Sequence, residues 1–77
     1  MVTHEGFREI ETRWRHTFIA PYVGRVKLED ADDRVDLAVY DGDGNKVWEL
    51  RENLDRLLTV PGALESIAED ARKSLSP

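Results

Sequence analysis

The chain has no cysteine, one methionine, three prolines and only six aromatic residues among its 77 positions. Without cysteine there is neither a disulfide scaffold nor a thiolate metal site. The two histidines, His4 and His16, stand twelve positions apart, which is the spacing of no zinc motif. The uninterrupted apolar runs are a few residues long, whereas a membrane-crossing helix needs roughly 20. The stretch Met1-Val2-Thr3-His4-Glu5 lacks the basic and apolar regions of a signal peptide, so a cytoplasmic protein is expected. A chain of this length is expected to form a single domain over residues 1–77, since a second core would have nothing to build it.

What is present is charge. Sixteen acidic and eleven basic residues give a formal charge of −5. The distribution is uneven: residues 1–28 carry +2 and residues 29–77 carry −7. The large apolar groups are Phe7, Trp14, Phe18, Tyr22, Tyr40 and Trp48, joined by a leucine-rich second half. Burying each contributes roughly 1.5–3 kcal/mol. So small a domain nevertheless buries only about 60 % of its unfolded surface. A dimer, a metal or a partner would add to that thin margin.

The periodicity predicts an α+β fold. Phe7, Ile10 and Trp14, extended by Thr17-Phe18, form the stripe of a helix over 4–17, with Thr3 as N-cap and Pro21 beyond its end. Glu5/Arg8, Glu9/Arg13 and Glu11/Arg15 have the spacing of helical ion pairs. Residues 22–29 and 34–40 alternate as strands, the second with Val35, Leu37 and Val39 on one face. Asp41-Gly42-Asp43-Gly44-Asn45 is a turn, and 46–50 returns as a third strand with Val47 and Trp48 on opposite faces. Asn53 caps a short helix bearing Leu54, Leu57 and Leu58. Pro61-Gly62 interrupts it, with Pro61 suited to the first turn of a new helix over 62–75. The expected architecture is an N-terminal helix, a three-stranded antiparallel meander and a broken C-terminal helix packed on one sheet face.

The order helix, three strands, helix is also that of double-stranded RNA-binding domains. Those place lysines at the start of the last helix, where this chain has Pro61-Gly62-Ala63-Leu64-Glu65. Nucleic-acid affinity rests on cations neutralising phosphates, so a net charge of −5 argues against direct nucleic-acid binding. Arg8, Arg13 and Arg15 read as the solvated face of the first helix, with a local phosphate patch as the alternative.

Asp41, Asp43, Asn45 and Glu52 fall at positions 1, 3, 5 and 12 of a frame that looks like the EF-hand loop, a hard-oxygen ligand set for Ca²⁺. Lys46 stands where that loop needs glycine, and residues 34–40 alternate like a strand where an EF-hand has a helix. The alternative to an ion site is an ordinary hairpin turn. No serine lies near a His/Asp pair, and paired carboxylates need a pocket that so small a core has little room for, so no enzyme is expected.

From Val35 onward the chain resembles the small phage proteins that inhibit type I CRISPR surveillance complexes. The likeness lies in the strand and turn from Ala38-Val39-Tyr40 to Gly44 and Lys46, the break at Pro61-Gly62 and the acidic last helix, about half the chain. It implies a non-enzymatic inhibitor seated on a nucleic-acid-binding or effector-recruiting surface. The expectation is therefore a small acidic module that binds a protein with a basic surface, by steric occupation or by acidic mimicry of nucleic acid, without membrane contact. Its candidate binding residues are Asp30, Asp32, Asp33, Glu65, Glu69 and Asp70. Two alternatives stand beside it: a calcium module, and a structural homodimer whose sheet face pairs with itself.

Overall fold

The computed structural model describes residues 4–29 and 34–75. Thr3, expected as a cap, and the acidic stretch Asp30 to Asp33 lie outside them. The element order is α1 (His4–Thr17), β1 (Val23–Glu29), β2 (Arg34–Tyr40), β3 (Lys46–Asn53), α2 (Leu54–Thr59) and α3 (Ala63–Leu75). The strands form one antiparallel sheet in the order β1-β2-β3. This is the expected α+β architecture.

β2 is the centre of the sheet and explains its two-sidedness. Val35, Leu37 and Val39 are fully buried and join one cluster with Ile10 and Trp14 of α1, Leu54 and Leu57 of α2, and Leu64, Ala68 and Ala71 of α3. All three helices thus cover the same face. Side chains alternate along a strand, so Arg34, Asp36, Ala38 and Tyr40 share the opposite face.

Trp14 is the keystone of the covered side. Its ring meets Phe18 edge-on at 4.9 Å and lies 5.7 Å from Trp48 of β3. Its indole N–H donates to the Ala38 carbonyl at 2.9 Å, which satisfies the one polar atom that burial would otherwise strand. Gly24 of β1 allows this approach. A Cβ there would sit 2.9 Å from the Trp14 backbone oxygen and equally close to the rings of Trp14 and Phe18.

Four local expectations are corrected. The charged residues of α1 do not simply pair along the helix: Arg13 reaches across to Glu65 of α3, because the two helices lie side by side. β3 runs on to Asn53 rather than stopping at Leu50, held by pairing of 51–53 with Asp36, Val35 and Arg34. Pro61 is not in the first turn of α3. Gly62 precedes that helix with φ +76°, and its carbonyl accepts the first helical hydrogen bond, from Ser66 N at 3.0 Å. Asn53 does cap α2, its Oδ1 accepting from Arg56 N at 3.2 Å. The stripe of α2 is narrower than expected, since Leu54 and Leu57 are buried while Leu58 is exposed.

Candidate partner-binding surface

The uncovered sheet face is a lattice of charge built by strand register. Across it run the rows Lys27–Asp36–Arg51 and Arg25–Ala38–Glu49, and at one end Val23–Tyr40–Lys46. Opposite charges directly across a strand pair attract, and like charges repel. Asp36 sits between two cations in its row. Ala38 is nearly buried although it lies on this face, covered between Arg25 and Glu49. Lys46 donates to Glu49 Oε2 at 2.6 Å, and Arg51 Nε pairs with Glu29 Oε1 at 3.2 Å. Arg25 stands over the Tyr40 ring, its guanidinium carbon 5.8 Å from the centroid, within cation–π range.

Asp36 and Glu49 influence each other's titration in opposite directions. Burial, then a hydrogen bond with Glu49 and the charge of Glu49, raise the Asp36 carboxyl above its ordinary value. Glu49 is held below its own, first by Lys46 and then by Asp36. Oδ1 of Asp36 is shielded from solvent and forms no hydrogen bond.

A groove of about 570 Å³ follows the outer edge of β1. Residues 23–27 line it without a gap, with Glu11 and Arg15 of α1 on one side, and it extends over Asp36, Ala38 and Tyr40 of β2 to Lys46 of β3.

The acidic residues expected to bind a partner are only partly brought together. Glu65, Glu69 and Asp70 are exposed on α3. Glu65 is taken by Arg13, and Glu69 pairs with Lys73 at 3.5 Å. Asp30, Asp32 and Asp33 fall outside the described residues.

The proposed ion ligands do not converge. Asp41 Oδ1 accepts the backbone N–H of Asp43 and of Asn45, each at 2.9 Å, and Gly44 N donates to the Asp41 carbonyl at 3.1 Å. These amides hold the Asp41 carboxyl below its ordinary value, that of Asn45 most strongly. Its charge is therefore engaged in closing the turn. Glu52 lies opposite Val35 on β3, six residues beyond Lys46, so about 20 Å of strand separates it from the turn. Its Oε1 accepts from Asn53 N at 3.0 Å. The twelve-residue frame is not a loop, because its second half is a strand. Among the described residues no three of the His, Asp and Glu side chains are grouped to hold a metal ion.

Sequence reading missed Arg25, Lys27, Asp36, Tyr40 and Arg51 as one surface. The signal was present in the alternation of both strands, but the register that aligns them across the sheet was not. No described helix is long and apolar enough to cross a membrane. The fold and surface define a small α+β domain with one helix-covered and one charged, uncovered sheet face. No family model matches the chain, and no curated protein or solved structure is found to match it.

Proposed function

We propose that this protein is a non-enzymatic, cytoplasmic protein-binding module that acts by occupying a partner's surface, as an inhibitor or a regulatory subunit. The observation that carries this reading is the uncovered sheet face, which mixes cations and anions across its strands, as in the rows Lys27–Asp36–Arg51 and Arg25–Ala38–Glu49. A lattice of mixed sign complements another patterned protein surface, where charges of both signs fix register and reject wrong partners. A phosphate backbone presents one sign only and rewards a uniformly basic surface instead. We place binding on the sheet rather than on α3, because two of the three α3 acids are already paired.

The test uses three baits in lysate of the source organism, with and without nuclease, read by mass spectrometry. They are the wild-type chain, a sheet variant carrying Glu49→Lys and Arg51→Glu, and a helix variant carrying Glu69→Lys and Asp70→Lys. A stoichiometric protein retained by the wild type and the helix variant, but lost by the sheet variant, is expected. Retention by the sheet variant with loss from the helix variant would move binding to the acidic helix. Loss of the partner on nuclease treatment would exclude a direct protein contact.

A further inference from the structure

Among the described residues β1 is an edge strand, with β2 on one side and no strand on the other. Half of the amide and carbonyl groups of such a strand point away from its sheet and are free to pair with another chain. The groove along this edge is lined by five consecutive residues, 23–27. Neighbouring side chains of a strand point to opposite faces, so unbroken lining means that the groove, which also runs over the open face of β2, reaches the β1 backbone itself. Five residues extend over about 17 Å, the length of a short added strand.

The side chains around the groove specify what that strand carries. Arg15 flanks it from α1, and Arg25 and Lys27 project from β1. None of these three cations forms an ion pair with a described residue. Lys46, at one end of the groove, is neutralised by Glu49. The acids on the groove are Glu11 and Asp36, two against the four cations Arg15, Arg25, Lys27 and Lys46. In a chain of net charge −5, three unpaired cations therefore gather along one free strand edge. The Tyr40 ring under Arg25 holds that guanidinium in place.

We propose that this groove takes an extended acidic segment of a protein partner as a fourth strand on β1, its backbone pairing with the free edge and its carboxylates meeting Arg15, Arg25 and Lys27. The inference rests on the protein-binding reading above and names its site and the chemistry of its partner. Strand addition draws affinity from main-chain hydrogen bonds and selectivity from alternate side chains. Arg25 and Lys27 share the open face of β1 with exposed Val23, so one face of the incoming strand meets those two cations and Val23, while Arg15 stands on the α1 side.

The probe is a fluorescein-labelled hexapeptide of alternating Glu and Val, followed by anisotropy at physiological salt, with an alternating Lys and Val peptide as control. Two further Glu/Val peptides are N-methylated on odd or on even residues. Saturable binding of the acidic peptide is expected, with loss of at least about tenfold in affinity on Arg25→Glu or Arg15→Glu. One N-methylated peptide should bind like the parent and the other at least about tenfold more weakly, because only one edge of an added strand pairs. Amide shifts on titration should centre on residues 23–27. Thermal melts of both variants check that they remain folded, and Lys27→Glu supplies a third if either does not.

Equal binding of both N-methylated peptides would reduce the effect to charge attraction and overturn strand addition. So would equal binding of the Lys/Val control, displacement by a single-stranded RNA of equal length, or shifts centred on Lys46–Asn53. Concentration-dependent dimerisation that buries residues 23–27 would assign the edge to a second copy instead. If the peptide fails while the sheet variant still loses its captured partner, the groove falls and the module reading stands. If capture fails as well, both fall.

Discussion

The two faces of β2 obey different rules although the same seven residues build them. On one, Val35, Leu37 and Val39 are sealed under three helices. On the other, Arg34, Asp36 and Tyr40 stand among side chains of both neighbouring strands, with charge pairs in place of packing. The covered face supplies the hydrophobic free energy that a chain of 77 residues can muster. The open face adds little to stability, because exposed ion pairs are worth about 0–1 kcal/mol. Charges are therefore free to vary there in the service of recognition, whereas the covered side is constrained atom by atom.

Substitutions can break that contrast or sharpen it. The largest effect belongs to Trp14→Ala, which removes a fully buried ring, its contacts with Phe18 and Trp48 and its bond to Ala38. A loss of about 3–5 kcal/mol is expected, enough to leave much of so small a domain unfolded in a denaturant titration. Next comes Gly24→Ala. The added methyl meets the Trp14 backbone oxygen, which cannot swing aside as a side chain can, so α1 must lift from β1. A cost of about 1–3 kcal/mol is expected, with reduced near-ultraviolet dichroism from the displaced tryptophans.

Gly44→Ala tests the turn without touching either face. Its surroundings are empty, and only φ +84° opposes a side chain, so about 1 kcal/mol should be lost. Unchanged stability would show that the turn relaxes.

The smallest effect has the opposite sign. Asp36 titrates above its ordinary value of 3.8 in the folded chain, so the folded state holds its proton more tightly than the unfolded one. The stability this gives is full below 3.8 and is lost as the pH rises through the folded value. At neutral pH the charged form opposes folding, and Asp36→Asn should therefore raise stability, by about 0.5 kcal/mol. The advantage should shrink as melts are repeated toward pH 3.8. A variant less stable than wild type at neutral pH would mean that the cross-strand cations Lys27 and Arg51 outweigh burial and Glu49.

Much of the fold was legible because it rests on local chemistry. The stripe of Phe7, Ile10 and Trp14 marks α1, the alternation of Val35, Leu37 and Val39 marks β2, and Asn53 announces α2 by its side-chain oxygen. The turn at 41–45 was legible too, since Asp41 closes it on its own backbone amides. The same local spacing misled where partners were remote. Asp41 and Glu52 fit an ion-loop frame in sequence, yet strand pairing draws Glu52 away along β3.

Arg13 and Glu9 have the spacing of a helical pair, yet Arg13 turns to Glu65, 52 residues on. Periodicity and capping thus determined which segments are helices and strands and which side of each is apolar, because those preferences act over a turn of helix or a pair of strand residues. Only the tertiary structure decided which charges meet across strands and which edge stays open. Those contacts depend on register and helix placement, which are fixed by burial of the whole core around Trp14 and Gly24.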